Sequence, residues 1–306
     1  MRLDVVSIKK SFGDKEILHG ITFSVTSGRA MGFLGRNGAG KSTTIRCLMD
    51  VFHQDSGEFL LDGQPFEPWK MRIGYLPEER GMYQKNKVLP QLVYFARLRG
   101  ADKADALRSA NHWIDYFELG EFKNKNLETL SKGNQQKIQI AQSFLNEPDI
   151  LILDEPFSGL DPVNAQVFKD TIADFVRQGK LVIFSSHQMS YVEEVCDDVT
   201  LIHEGDIVLS GSLDRIKREE GRDKLFLSLA QDSGQDELVR ALQGAFPGLL
   251  VTNSRDGEGL ILDTQGQALQ DRLLTWLAGQ QVTIRRFGLY EPSLTDIFIE
   301  KVGETA

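Results

Sequence analysis

Cysteine is almost missing from this chain, with only Cys47 and Cys196 among 306 residues. Both fall in helical patterns with no metal-ligand neighbour at useful spacing. That excludes a disulfide framework and a cysteine metal site, and fits reduced packing residues of a cytosolic protein. Long apolar runs are missing too: each stops far short of the roughly 20 residues that span a bilayer. No apolar leader follows Met1, so no export signal is expected. Positive charge is in deficit, 35 Lys and Arg against 44 Asp and Glu for a net charge of −9. The surface as a whole therefore offers no electrostatic footprint for nucleic acid, and no nucleic-acid partner is expected. The length leaves room for one large and one small domain, each with its own core.

What is present begins with Gly35-Arg36-Asn37-Gly38-Ala39-Gly40-Lys41-Ser42-Thr43, directly after the apolar run Ala30 to Leu34 and directly before a helical pattern. A glycine-rich loop between strand and helix lets backbone N–H groups turn inward around the phosphates of a nucleotide. Lys41 supplies a point charge for the β- and γ-phosphates, and Ser42 a hydroxyl for Mg²⁺. The helix that starts there adds its positive dipole end.

A second site element lies far along the chain. Ile150-Leu151-Ile152-Leu153 is continuously apolar, as a strand buried on both faces of a parallel sheet would be, and it ends in Asp154 and Glu155. Carboxylates at the C-terminal end of such a strand reach the mouth of the sheet, beside the phosphate loop. Asp154 suits metal holding and Glu155 suits the general base that activates an attacking water. The plainer alternative is a pair of solvated loop carboxylates.

Further motifs fall in an order that resembles the ATP-binding cassette (ABC) ATPases. Leu130-Ser131-Lys132-Gly133-Asn134-Gln135-Gln136-Lys137 resembles the family's signature, Ser158-Gly159-Leu160-Asp161 its D-loop, and His187 its switch histidine. Phe12 is similar to the aromatic residue that stacks on adenine, with a core position as the alternative. The resemblance covers residues 1 to about 220. It implies ATP and Mg²⁺ as cofactors and two subunits closing on ATP, with Ser131 and Gly133 of one acting on the γ-phosphate held by the other. A membrane permease encoded separately is the implied partner, and the inner face of the membrane the implied location.

Two departures from the family pattern stand out. Glu78, after Ile73 to Pro77, occupies the position usually held by the Q-loop glutamine. A glutamate can still ligate Mg²⁺ but adds negative charge near a triphosphate. In the signature, Lys132 replaces a glycine and Asn134 a glutamine. Lys132 is compatible with phosphate chemistry, and also with a solvent-facing side chain, the usual fate of lysine.

The expected fold is an α/β nucleotide-binding sheet with an antiparallel edge from residues 2–34, read as short strands. A helical subdomain follows at about 85–145, with stretches Leu89 to Arg99 and Asp102 to Leu119. The charged segment Pro77 to Leu89 is a candidate permease contact or a solvated loop. A hairpin over Val199 to Ser210 and a charged helix from Leu213 to Glu220 lead to a boundary at Gly221, giving domains 1–220 and 221–306.

In the second domain, a strand (Leu225 to Leu229), a helix (Asp236 to Phe246), two strands about Arg255-Asp256-Gly257, a helix (Ala268 to Leu277) and a strand (Val282 to Leu289) give the βαββαβ order of a ferredoxin-like sandwich. A final helix starts at Ser293, and the segment Glu291 to Phe298 resembles the C-terminal extension of bacterial exporter cassettes, including the sodium- and drug-export branch. Dimerisation, subunit contact, regulation or plain stabilisation are its open roles.

The expected function is thus an ATP-hydrolysing exporter subunit. Rivals are a soluble cassette protein acting on ribosomes or DNA, and an ATP-sensing module with little turnover. A GTPase is disfavoured because Asn124-Lys125-Asn126-Leu127 lacks the aspartate of a guanine-reading motif.

Overall fold

The computed structural model describes residues 1–78, 81–230, 235–266, 268–280 and 282–303. The chain divides into two compact units, Met1–Leu213 and Asp214–Ala306.

The first unit opens with two long strands, β1 (Arg2–Phe12) and β2 (Lys15–Thr26), paired antiparallel. They are longer than the interrupted pattern of charges suggests, because register shifts between Val5 and Ile8 and between Lys10 and Ser11 absorb the breaks. Next come β3 (Ala30–Leu34), α1 (Lys41–Leu48), β4 (Ser56–Leu61), β5 (Gln64–Pro65) and β6 (Ile73–Leu76). The helices α2 (Val88–Leu98), α3 (Lys103–Tyr116) and α4 (Lys132–Phe144) follow. Asp102 caps α3 by accepting from the Asp105 amide, which is why that helix starts where the sequence changes from Gly-Ala to charged residues. The unit continues through β7 (Ile150–Asp154), α5 (Pro162–Arg177), β8 (Leu181–Ser186), α6 (Met189–Val195), β9 (Asp198–His203) and β10 (Asp206–Ser212).

These strands form two sheets. One runs β2-β1-β4-β5 and is antiparallel; the other runs β10-β9-β3-β8-β7-β6, parallel except for the edge strand β10. Strands β3, β7 and β8 are buried along their whole length, as their uninterrupted apolar sequences require. One core holds both sheets and α1 together, with Leu3, Ile8, Leu18, Phe33, Ile45, Ile152 and Ile183 at 3 % exposure or less. At the N-terminal ends of the parallel strands, Asp149 accepts from Arg72 Nε at 2.8 Å and from Lys180 Nζ at 2.9 Å. The Asp149 amide donates to Arg72 O, and the Leu181 amide to Asp149 O, so one residue joins the starts of β6, β7 and β8.

Helices α3 and α4 meet α5 through a chain of rings. Trp113 and Phe144 stack with centroids 4.7 Å apart, and Phe144 touches Phe168 and Phe175. Phe157, just beyond β7, packs on Phe168 and stacks on Tyr191. Each such pair adds about 1 kcal/mol beyond its buried area.

From α7 (Leu213–Glu220) onward, the second unit contains β11 (Lys224–Leu229), α8 (Gln235–Ala245), β12 (Leu250–Asn253), β13 (Leu260–Asp263), α9 (Gln270–Ala278), β14 (Ile284–Leu289) and α10 (Leu294–Val302). Its antiparallel sheet runs β12-β13-β11-β14, the strand order of the ferredoxin-like sandwich. Alternate residues Leu225, Leu227, Leu260 and Leu262 meet Leu238, Leu242, Leu273 and Leu277 of the two helices in a separate core. Ser293 and Asp296 form a reciprocal capping box that starts α10. Among the described residues, no helix is long and apolar enough to cross a membrane.

Candidate active site

The end of β3, the loop to α1 and the end of β7 come together at the C-terminal edge of the parallel sheet. A cavity of about 440 Å³ opens there, lined by Arg36, Asn37, Gly38, Gly40, Lys41, Ser42, Thr43, Asp154 and Glu155, with Glu78 and Phe12 at its margins. Gly35 and Ala39 complete the loop around it. Gly40 has a φ of 114°, and a Cβ on it would fall 2.7 Å from Leu18 Cδ2, so only glycine suits this turn into α1.

Lys41 is buried and donates from Nζ to Gly35 O at 2.6 Å and to Arg36 O at 3.2 Å. Burial pulls its pKa down, and the negative charges of Glu155, Asp154 and Glu78 push the other way. The ammonium is thus held over its own loop with its carboxylate neighbours at longer range, Glu155 Oε1 being 4.0 Å away.

Asp154 ends β7 at 2 % exposure, and its Oδ1 accepts from the Ser185 hydroxyl of the neighbouring strand β8. Its Oδ2 is buried with no hydrogen-bond partner among the described residues. Glu155 follows with a φ of 50°, a left-handed conformation costing a non-glycine residue roughly 1–2 kcal/mol. The Glu155 amide donates to both Ser185 O and Ser185 Oγ at 3.2 Å, so β8 fixes this turn. His187, at the end of β8, brings Nδ1 within 2.9 Å of Glu155 Oε1. The approach is close enough for an ion pair but lacks hydrogen-bond geometry, so that buried carboxylate oxygen has no hydrogen-bond partner among the described residues.

Two unsatisfied carboxylate oxygens facing one cavity are costly unless a cation, a water or a proton joins them. The residues present fit a hard divalent cation: Asp154 offers a free buried oxygen, and Ser42 and Glu78 line the same cavity. Among the described residues, no cluster of three or more His, Cys, Asp or Glu stands ready to hold a metal alone. A cation here would therefore complete its shell from phosphate oxygens and water, as Mg²⁺ does.

Phe12 is 49 % exposed, which sets aside the core alternative; its ring meets Phe52 edge-on at 5.2 Å and Lys10 Nζ lies 5.4 Å from its centroid. Ser131 and Gly133 do not line the cavity. Ser131 caps α4 by accepting from the Asn134 amide at 3.3 Å, and Lys132 projects to solvent. The carbonyl of Gly159, in the D-loop segment, lies 3.8 Å from where a Gly133 Cβ would be, and Gln136 Nε2 donates to Pro156 O at 3.2 Å. The start of α4 is thereby attached to the segment that follows Glu155. In the charged stretch Pro77 to Leu89, positions 79 and 80 lie outside the described residues.

Sequence reasoning passed over Ser185 as a partner of Asp154, and Lys15 and Ile17 as lining residues. The serine stood beside the switch histidine in the sequence, but only strand pairing between β7 and β8 sets it against Asp154.

A glycine loop with a buried lysine, facing carboxylates on the adjacent strand ends, defines a P-loop nucleoside triphosphatase. Residues 18–158 match the ABC transporter family, and residues 211–302 match the C-terminal domain of DrrA1-3-like ATP-binding proteins. The chain is 39 % identical to the uncharacterized ABC transporter ATP-binding protein YhaQ of Bacillus subtilis, over 98 % of each chain. It is 27 % identical to the linearmycin resistance ATP-binding protein LnrL of Bacillus subtilis, over 99 % of each. A solved ATP-binding subunit of an ABC transporter superposes with a TM-score of 0.67 at 28 % identity, covering 79 % of this chain and all of that one. The chain therefore belongs to the ATP-binding proteins of ABC transporters. It binds ATP and hydrolyses it.

Proposed function

We propose that this protein is the ATPase of an exporter, that it works as a pair closed around ATP, and that it drives a separately encoded integral membrane permease from the inner face of the membrane. The first unit, residues 1–213, forms the ATP-binding part and the second, residues 214–306, an accessory domain, so α7 goes with the accessory domain rather than before a boundary at Gly221. The export reading draws on the names of two relatives, the linearmycin resistance protein LnrL and the Nod factor export ATP-binding protein I of Burkholderia lata, the latter 30 % identical over 69 % of this chain.

The observation that carries the mechanism is the convergence of His187 Nδ1 and Lys41 Nζ on Glu155 Oε1, at 2.9 and 4.0 Å, beside the phosphate loop. Loop amides from Gly35 to Thr43 and the start of α1 bind the phosphates, and Lys41 bridges the β- and γ-phosphates once ATP draws it from its own carbonyls. Phe12 stacks on the base. Ser42, Asp154 and Glu78 would hold Mg²⁺, which when bound neutralises charge on the phosphates. Glu155 accepts a proton from the attacking water as its oxygen bonds to the γ-phosphorus and the bond to the ADP oxygen breaks. His187 orients Glu155 and reaches the γ-phosphate. Ser131 and Gly133 of the second subunit, at the N-terminus of α4, close the other side.

The Glu155→Gln protein tests this. It is expected to keep ATP binding, to lose turnover by about 10²–10⁴-fold, and to elute as a dimer only with ATP. Isolated from mild detergent with ATP, it should bring a polytopic membrane protein with it. Turnover at the parent rate would remove Glu155 from the base role; ribosomes or nucleic acid in place of a membrane protein would overturn the transport coupling.

A further inference from the structure

A second cavity, of about 520 Å³, lies in the first unit at the opposite ends of the strands from the ATP site. Its walls are the Arg72 turn before β6, the loop from Arg99 to Ala101 between α2 and α3, one side of α3 with Ser109 and Trp113, and Asn146 and Glu147 before β7. The volume is that of a small-molecule site. Three cations face it, and their pairing differs. Arg72 is held by Asp149, and Arg108 by Asp105. Arg99 has no ion pair among the described residues: its guanidinium makes one hydrogen bond there, from Nη1 to the Gln142 carbonyl at 2.8 Å, in the last turn of α4. Glu147 faces the same cavity without pairing with it.

A guanidinium presents five donors in a planar fork, and half-burying one with a single neutral acceptor leaves most of that capacity to the cavity. Burial pushes its pKa down to about 10, and the group stays charged at neutral pH. The remaining walls suit an organic body on the anion. Trp113 forms part of the lining, and amide donors beside it are engaged elsewhere: the Asn146 amide donates to Ser109 Oγ at 3.1 Å, Asn146 Nδ2 to Ala96 O at 2.8 Å, and the Gly100 and Ala101 amides to Arg97 O and Ala96 O at 3.0 and 3.2 Å.

We propose that this cavity binds a small organic oxyanion, a carboxylate or a phosphate, with Arg99 as its bidentate anchor and Trp113 against its apolar body. The pairing supplies the counter-charge that Arg99 lacks. It also bears on α4, because Arg99 holds the last turn of the helix whose first turn carries Ser131.

Trp113 gives a local reading of occupancy. In full-length protein carrying Trp69→Phe and Trp276→Phe, emission excited at the red edge is followed during titration with benzoate and with phenyl phosphate, ionic strength being held with chloride; benzamide is the neutral control. The expected result is a saturable change with one or both anions, none with benzamide, and at least tenfold weaker binding in Arg99→Gln. Arg99→Lys, which keeps the charge, should recover part of that loss, separating the anchor from any effect on the fold. Equal responses to benzoate and benzamide, an unsaturable response matching chloride, or unchanged affinity in a folded Arg99→Gln protein would each overturn the proposal.

Discussion

Ser185 shows how much of an active site is made by a residue that takes no part in the chemistry. Its hydroxyl donates to Asp154 Oδ1 and accepts from the Glu155 amide, so it fixes one carboxylate and the backbone turn that aims the next. Ser185→Ala leaves a second buried Asp154 oxygen without a partner, which costs about 1–3 kcal/mol. ATPase activity should fall with it, whereas Ser185→Thr should retain part of both; denaturant midpoints and turnover numbers on the three proteins check this. Phosphate loop, strand-end carboxylates and switch histidine were legible in the sequence because each is a short local string. The Ser185–Asp154 bond was not, since it joins residues on different strands whose adjacency is a matter of sheet order. Nor was the exposure of Phe12 legible, because a lone aromatic residue carries no mark of which side of the fold it faces.

At the scale of elements, the helical subdomain is fastened to the sheet by close packing rather than by charge. A Cβ on Gly74 in β6 would lie 2.0 Å from the carbonyl of Ser143 in α4, and 2.9 Å from Leu151 Cδ1. Gly74→Ala is therefore expected to push α4 off β6 at a cost of about 3 kcal/mol or more, visible as a lower thermal midpoint. Because α4 begins with Ser131 and is tied to Pro156, the same change should reduce ATPase activity by more than the lost stability explains. Three helical stretches were readable in the subdomain, and the two with stated bounds, α2 and α3, have ends displaced by one to three residues. Strands β4 and β5 were not, because their sequence, Ser56 to Pro65, is half glycine, charge and proline and pairs only with residues far away or across a tight turn. In the second unit four strands and two helices follow in the expected βαββαβ order; β14 starts at Ile284 rather than Val282, and α9 at Gln270 rather than Ala268, where Leu269 takes the cap position.

For the whole molecule, two units with separate hydrophobic clusters imply two unfolding transitions rather than one. ATP at 100 times its Kd, added to the slowly hydrolysing Glu155→Gln protein, should raise the transition of the first unit by about 2.7 kcal/mol and leave the second in place; calorimetry with and without nucleotide reads this directly. Acid should act on the first unit through Asp149. Burial raises the pKa of that carboxyl, but hydrogen bonds from Arg72 and Lys180 outweigh it and hold the group below its ordinary 3.8. The stabilisation is complete above that ordinary value and disappears as pH falls through the lower folded one. Asp149→Asn should accordingly lose on the order of 1 kcal/mol at neutral pH, an amount kept small by the exposure of Arg72, and show a flatter stability profile below pH 4 than the parent.

The position of β3 in its sheet has a consequence for how the protein is born. This strand leads into the phosphate loop within the first 35 residues, yet its two sheet neighbours are β8, which starts at Leu181, and β9, which starts at Asp198. At about 5–20 residues per second, a ribosome needs on the order of ten seconds or more to deliver them. Throughout that interval the nascent chain displays a loop built for phosphate with neither flanking strand to hold it open, so nucleotide cannot template early folding and is captured only by a nearly finished domain.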